Sequence, residues 1–189
     1  MILKTMDFTD FYKHIRDIFS KQFSSTEVGS IMEYVKILSD ANFRCYKANM
    51  VVIKERKKGV VDDTLISEME WVARSVGEYR VASKANINKF ISRARPVTDI
   101  VTPKTWMSDD IVYSIGEMMD RLSIETIKRE DFDKNDRAKH MTESSQKLSW
   151  RVEKYLKAKL AEINRKGFYE CVEEQRTYDL EGIVKELAL

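Results

Sequence analysis

Ser114-Ile-Gly-Glu-Met-Met-Asp-Arg-Leu-Ser-Ile-Glu-Thr-Ile-Lys128 places apolar and charged side chains at the spacing of an amphipathic α-helix. With about 100° of rotation per residue, such a helix separates the two kinds of side chain onto opposite faces. The apolar face holds Ile111, Ile115, Met118, Met119 and Leu122. The opposite face holds Glu117, Asp120, Arg121 and Lys128, with Ile124 among them. The segment therefore predicts a helix that buries one side and carries a dense set of charges on the other.

The same periodicity predicts helices on both sides of this segment. They cover approximately residues 9–22, 26–57, 62–94, 110–129, 142–166 and 180–187. The boundaries follow from capping and breaking residues: Ser24 to Glu27, Asp62 or Asp63, and Asp109 or Asp110 suit helix starts, and Gly59 and Gly167 suit helix ends. The polar residues 130–139 predict a turn, and Val97 to Val101 is the one short piece that fits an extended conformation.

These helices predict an all-α fold, with two long helical hairpins forming an antiparallel four-helix bundle. Short connections favour antiparallel neighbours, and each apolar stripe needs a partner. The prediction is one helical domain over residues 1–189, divided into an N-terminal helix arm (1–23), hairpin 1 (26–94), a proline linker (95–109), hairpin 2 (110–166) and a C-terminal tail (167–189). Shifting hairpin 1 by 84 positions aligns Ser30-Ile31 with Ser114-Ile115 and Glu33 with Glu117, which suggests a duplication.

Composition narrows the classes of function. The 189 residues include 34% charged residues but a net charge of only +2, which is not the one-signed surface typical of nucleic-acid binding. No run of residues approaches a membrane span, so we expect a cytoplasmic protein. Cys45 and Cys171 lack disulfide or metal-site spacing, His14 and His140 form no recognisable zinc pattern, and no glycine-rich phosphate loop occurs. Neither a metal nor a cofactor is predicted.

Some polar residues fall inside the predicted apolar stripes. On the second helix these are Asn42 and Asn49, which lie in line with Leu38, Cys45 and Val52. A buried amide without partners costs about 1–3 kcal/mol, so both should be hydrogen-bonded. They are either a pair that fixes the register of the bundle or a polar pair that faces a ligand.

Arg80 is the most informative polar residue of the third helix. The apolar stripe of that helix, in which Arg80 and Ser83 are embedded, consists of Leu65, Met69, Val72, Ala73, Val76, Tyr79, Ile87, Phe90 and Ile91. A guanidinium does not lose its charge, so Arg80 needs an internal carboxylate, an anionic ligand or a route to solvent. On the fifth helix, Lys159 lies in the stripe of Leu148, Val152, Tyr155, Leu156 and Ile163, where we expect its ammonium to reach water.

The charged face of the 114–128 helix has two interpretations. It is either a solvated surface, stabilised by a Glu117–Arg121 pair, or a site that a further layer of the protein covers. The second interpretation gives Glu117, Asp120, Arg121, Ser123 and Lys128 a role beyond solvation.

The run Gly116-Glu-Met-Met-Asp-Arg-Leu-Ser-Ile124, followed by Lys128, resembles a motif of a family of all-helical bacterial proteins. In that family the motif reads Gly-Glu-Leu-Ile-Asp-Arg-Leu-Ser-Ile, and its members are often encoded beside glycosyltransferase genes, with no established activity. Two further pieces are similar: Ala41-Asn42-Phe43 with Tyr46, and Tyr169 with Gln175, Arg176, Tyr178 and Asp179. The chain departs from the family pattern at Lys47, Asn49 and Met50, where the family has a histidine and a Glu-Asp pair.

This resemblance implies a bacterial or phage origin. It also implies a role beyond surface solvation for five residues: Glu117, Asp120, Arg121, Ser123 and Lys128. It names no reaction. Whether the chain is an enzyme therefore stays open.

The sequence favours a binding or assembly role, with a homo-oligomer or a protein partner. Nine methionines, eight tyrosines, eight phenylalanines and three tryptophans offer adaptable and aromatic contact surface, and Trp106 lies in the proline linker, where it should dock on the domain or on a partner. The alternative is a binder of, or enzyme on, a phosphorylated or sugar-nucleotide ligand, held by Arg80, Arg121 and Lys128. A less favoured version is a magnesium-dependent, all-helical nucleotide pyrophosphatase, for which only Glu117-x-x-Asp120 has the required form.

Overall fold

The computed structural model describes residues 6–94, 97–100, 114–134, 139–166 and 169–171, with side chains at 6–91, 114–132 and 141–165. Apart from two short strands, the regular structure of these residues is α-helical. The helices are α1 (Thr9–Ser20), α2 (Ser25–Arg56), α3 (Asp63–Ala94), α4 (Ile115–Lys134) and α5 (Lys139–Lys166). The predicted last helix at 180–187, Trp106 and most of the proline linker lie outside the described residues. Among the helices that are described, none is long and apolar enough to cross a membrane.

Two of the predicted caps are formed. The Ser24 side chain accepts a hydrogen bond from the Glu27 backbone N–H, and the Glu27 carboxylate accepts one from the Ser24 N–H, so α2 begins with a capping box. Asp62 Oδ1 accepts a 3.0 Å hydrogen bond from the Leu65 N–H at the start of α3. These local bonds fix where α2 and α3 begin, because they satisfy backbone donors that a helix start leaves open.

The start and end of α4 differ from the prediction. The helix begins at Ile115, because the Ser114 hydroxyl accepts a 3.1 Å hydrogen bond from the Glu117 N–H; Asp109 and Asp110 lie outside the described residues. The predicted turn at 130–139 is wrong over its first half, since α4 continues to Lys134. Burial explains this, because Phe132 packs inside the fold and its side chain is only 4% exposed.

The core lies where α1 to α5 meet. Its fully buried members come from every helix and include Ile15, Phe19, Ile31, Leu38, Ile87, Ile91, Ile115, Met119 and Leu156. Helices α2 and α3 form one long hairpin, α4 and α5 form a second close pair, and α4 also packs against both α2 and α3. Burying apolar area of this kind supplies the main stabilising free energy of such a fold.

A short parallel pair of strands joins the two halves of the chain. Strand β1 (Val97–Ile100) pairs with β2 (Tyr169–Cys171), with Val97 opposite Tyr169. The extended conformation of β1 agrees with the sequence prediction for 97–101. The pairing brings the segment after α3 next to the segment after α5.

Two predicted stripes need correction. Tyr79 on α3 is 64% exposed and Tyr155 on α5 is 38% exposed, although both were assigned to buried stripes. Both tyrosines are therefore surface residues of their helices rather than members of the core. Lys159 is mostly covered, and its ammonium lies 3.5 Å from the Glu162 carboxylate.

Candidate functional site

Helix α4 is buried on nearly all sides between residues 114 and 127. Its charged face is not a solvated surface, because Glu117 is 7% exposed, Asp120 is fully buried and Ser123 is fully buried. The covering layer that the sequence left open is supplied by α2 and α3. Hence the motif residues of α4 point into the protein, and the interpretation as a solvated face is wrong.

Asp120 is the centre of this interior. Arg80 Nε donates a 2.7 Å hydrogen bond to Asp120 Oδ1, and Arg80 Nη2 donates a second to Oδ2, so the pair is bidentate. Arg80 is 7% exposed. The internal ion pair is therefore the correct one of the three outcomes predicted for this arginine. A bidentate guanidinium–carboxylate pair is among the strongest of charge-assisted contacts.

Asn42 links α2 to the same carboxylate. Its Nδ2 donates a 2.9 Å hydrogen bond to Asp120 Oδ1 and a 2.5 Å hydrogen bond to Ser123 Oγ. Ser123 in turn donates to the Asp120 carbonyl at 3.0 Å. Asn42, Arg80, Asp120 and Ser123 are called the polar cluster below. It confirms that Asn42 is buried and hydrogen-bonded.

The charge balance of the polar cluster shows in Asp120. Burial alone would raise the pKa of this carboxyl group, but the hydrogen bonds and charge of Arg80, with smaller contributions from Lys84 and Asn42, outweigh it. The pKa of Asp120 is therefore lower than its ordinary value, and the group is ionised in the folded protein at neutral pH.

Asn49 does not belong to the polar cluster. It is partly buried, and its Nδ2 donates to the sulfur of Cys45 at 3.7 Å, one helical turn away. Asn42 therefore bonds to α4 and Asn49 to its own helix, so the two amides have different partners. The pKa of the Cys45 thiol is raised by burial, which the charge of Arg80 only partly opposes, and a raised pKa disfavours the thiolate form.

Helices α3 and α4 face each other through three polar pairs in consecutive turns. Arg80 meets Asp120, Lys84 donates to Glu117, and Asn88 Nδ2 donates a 3.0 Å hydrogen bond to Ser114 Oγ. We call these three pairs the polar ladder. Residue numbers rise along α3 as they fall along α4, so the two helices run antiparallel. The pairing also corrects the predicted Glu117–Arg121 bond, since Glu117 turns to Lys84 instead.

The ladder ends where the backbones come closest. Asn88 Oδ1 accepts a 2.8 Å hydrogen bond from the Gly116 N–H, and so supplies a cap to α4 from another helix. A Cβ at Gly116 would lie 2.5 Å from the Lys84 carbonyl oxygen. Only glycine permits this approach of α4 to α3.

Arg121 and Lys128 share a different carboxylate. Arg121 Nε lies 3.1 Å from Glu125 Oε1, and Lys128 Nζ lies 3.5 Å from the same oxygen. The Glu125 side chain is 2% exposed, whereas those of Arg121 and Lys128 are 30% and 21% exposed. Two cations therefore share one buried anion near the surface. Arg80 pairs with a different carboxylate, that of Asp120, and the three-residue anion site stays a prediction.

Several residues of this interior were missed at the sequence level: Lys84, Asn88, Ser114, Glu125, and Asp131 with its partners Tyr46 and Lys47. A signal existed for the ladder. Residues 80, 84 and 88 recur every four positions, and 114, 117 and 120 recur every three, which places each set on one helix face. The capping pattern Ser114-x-x-Glu117 likewise marks the true start of α4.

The outer face of the α2–α3 hairpin carries a second candidate site. A groove of about 370 Å³ lies between these helices, and Trp71 beside it is 69% exposed. The groove is lined by Asp40, Phe43, Arg44, Trp71, Val72 and Val76. We call it the aromatic groove. The hydrophobic periodicity of α3 did not single out Trp71, because this residue lies outside the buried stripe.

Comparison with known proteins finds no match to this chain among protein-family models, curated proteins or solved structures. The function therefore has to be argued from the geometry of the polar ladder and the aromatic groove.

Proposed function

We propose that this protein is a helical binding or assembly module that contacts a protein partner through the aromatic groove. The observation that carries the proposal is the 69% exposure of Trp71 beside a groove of about 370 Å³. Tryptophan dominates the binding energy of many interfaces, and large exposed apolar groups rimmed by polar residues mark interaction surfaces.

Neighbouring exposed residues extend the surface along both helices. Ile37 on α2 is 46% exposed and lies one turn before Asp40, and Tyr79 on α3 is 64% exposed and lies one turn after Ser75. At helical spacing these side chains share the face of the groove. Their combination of an apolar centre with charged residues beside it is typical of a protein–protein contact.

The polar ladder supports the same proposal because its cations are already paired and so do not offer a site for an anionic ligand. Its cations already hold carboxylates of α4: Arg80 holds Asp120 and Lys84 holds Glu117. A phosphate would have to displace Asp120 from Arg80 and leave a buried carboxylate unpaired, which costs about 3–5 kcal/mol. We therefore assign the ladder the role of fixing the register of α3 and α4.

The proposal includes the arrangement of the helices as a four-helix bundle. Packing of α2 on α3 and of α4 on α5, with antiparallel α3 and α4, supports an antiparallel four-helix bundle with α1 as an added layer. Burial of Glu117, Asp120 and Ser123 supports, as a proposal, the kinship suggested by the motif at residues 116–124, because it gives those residues a reason to be present. The cytoplasmic location and the bacterial or phage origin stay predictions.

The test places a photo-crosslinking residue in the groove. Trp71→p-benzoylphenylalanine in the full chain, produced in cells of the source organism, should yield a discrete adduct on irradiation. The matched control is the same substitution at Trp150 on α5, a tryptophan that is 63% exposed on another helix. The adduct should form at position 71 and not at position 150. Equal labelling at both positions, or none at 71, would overturn the proposal.

A second candidate is binding of an anionic small molecule at Arg121 and Lys128. It is favoured by one observation, the sharing of the Glu125 carboxylate by two partly exposed cations, which leaves one positive charge in excess. Inorganic phosphate and UDP-glucose, titrated separately, should perturb the backbone amide signals of 121–128 in NMR spectra. The perturbation should disappear in Lys128→Gln. No perturbation by either ligand would remove this candidate.

The pyrophosphatase alternative has weaker support. Glu117 and Asp120 are occupied by Lys84 and Arg80, and within the described residues no group of three histidine, cysteine, aspartate or glutamate side chains is placed to hold a metal ion. We do not propose it.

A further inference from the structure

We infer that the occupant of the aromatic groove is a second copy of this chain. The two copies are related by a two-fold axis that runs between them, over the exposed side of α2, level with the midpoint between Asp40 and Arg44. This inference rests on the proposed function and names its partner.

The charges at the groove are self-complementary. Asp40 and Arg44 lie one turn apart on α2, their charged groups are 2.9 Å apart, and both side chains are more than half exposed. A two-fold axis between them sets α2 antiparallel to α2 of the second copy. Asp40 of each copy then faces Arg44 of the other, so that every contact occurs twice.

The apolar part of the groove fits the same arrangement. Phe43, Val72 and Val76 line the groove next to the charged pair, and Trp71 projects beside them. The axis brings each Trp71 ring toward the groove of the other copy, where it leaves water. A stable dimer buries roughly 800 Å² on each partner, which carries the contact outward over Ile37 and Tyr79.

Other occupants fit less well. A polyanion or an anionic membrane surface would favour a patch of one sign, but Asp40 and Arg44 cancel. An unrelated protein helix would satisfy the apolar groove, but it need not carry two charges that complement Asp40 and Arg44, which already pair within α2. A second copy supplies the apolar ring and both complementary charges from one surface.

The test uses the full-length chain in sedimentation velocity over a wide range of concentration. The wild-type chain should show a reversible monomer–dimer equilibrium, and Trp71→Ser should raise the dimer Kd by about tenfold or more. Trp150→Ser is the matched control and should leave the Kd unchanged, with circular dichroism confirming that each variant stays helical.

Charge reversal makes the test specific for a two-fold contact. Asp40→Arg alone and Arg44→Asp alone should each weaken self-association, because like charges would then face each other. An equimolar mixture of the two single variants should associate, and Asp40→Arg combined with Arg44→Asp should recover dimerisation. This pattern requires that residue 40 of one copy meets residue 44 of the other.

A wild-type chain that stays monomeric at every concentration would overturn the inference, and so would a dimer insensitive to these substitutions. If the chain is monomeric but position 71 still crosslinks specifically to a different protein, the proposed function stands and only the identity of the partner is wrong. Absence of any specific crosslink at position 71 removes both.

Discussion

The buried side of α4 and the exposed side of α3 both depart from the usual distribution of side chains, in which charged groups are exposed and apolar groups are buried. Inside, Asp120 and Glu117 are buried with their ion-pair partners, whereas outside, Trp71 and Tyr79 are largely in water. Each of these two carboxylates is matched by one cation of α3, so the pairs act on the fold. The exterior rings have no such match in the isolated chain. Buried charge therefore serves architecture in this protein, and exposed apolar surface serves contact.

The largest difference in stability between the two regions should come from removing the buried carboxylate of Asp120. Asp120→Ala leaves the Arg80 guanidinium buried without its carboxylate, and should lower the free energy of unfolding by about 3–5 kcal/mol. Urea denaturation followed by circular dichroism measures the loss. Asp40→Ala, which breaks an exposed pair on α2, is the matched control and should cost less than about 1 kcal/mol.

A double substitution tests whether stability depends on the neutralisation of Arg80 by Asp120 rather than on the presence of the two charges. Arg80→Met combined with Asp120→Leu should be much more stable than Asp120→Ala, because no unpaired charge remains. If the double variant is as unstable as the single one, the pair contributes more than mutual neutralisation.

The close approach at Gly116 gives the next largest effect. Gly116→Ala forces a methyl group against the Lys84 carbonyl, so α4 must shift and the unfolding free energy should fall by about 1–3 kcal/mol. Gly77→Ala is the control in α3, where a Cβ meets open space, and should stabilise by about 0.5–1 kcal/mol. Thermal unfolding of the two variants should therefore move in opposite directions. A harmless Gly116→Ala would contradict the packing of α4 on α3.

Acid should weaken the polar cluster selectively. Because the pKa of Asp120 is lower in the folded chain than in the unfolded chain, its contribution is fully present above the unfolded value. It is lost as pH falls through the folded value. The gap in unfolding free energy between the wild-type chain and Asp120→Asn should therefore narrow as pH decreases. A gap that stays constant down to acid pH would show that Asp120 is not ionised in the fold.

The exterior should give the smallest effect on stability. Trp71→Ser should change the free energy of unfolding of the monomer by less than about 0.5 kcal/mol, since most of the ring is already in water. The measurement is urea denaturation at a concentration where the monomer dominates. A loss as large as that of Gly116→Ala would show that Trp71 is a core residue and would remove the contrast between the two regions.

The sequence was sufficient for the helices whose ends carry local signals. The α2 capping box and the Asp62 cap depend on residues within one turn of the helix start, so the chain itself displays them. The same reasoning identified Arg80 as a residue that needs an internal carboxylate, an anionic ligand or a route to solvent. These features can be predicted because they depend only on the sequence of a single helix.

The interior of α4 was not readable in this way. The helical periodicity of α4 shows a polar face, and whether that face meets water depends on α2 and α3. The contact between Asn42 and Asp120 spans 78 residues of sequence, and the contact between Asn88 and Ser114 spans 26. The choice of Lys84 as the partner of Glu117, over the nearer Arg121, also depends on a neighbouring helix. Pairings between helices are set by three-dimensional register, which a single helix does not encode.

The hydrogen bonds of Asn88 with Ser114 and Gly116 have a consequence for the way the two halves of the chain find each other. Helix α3 itself holds the first residues of α4, so direct contacts between the two helices set their alignment. A chain cut between positions 94 and 114 should therefore give two fragments that recombine in the native register.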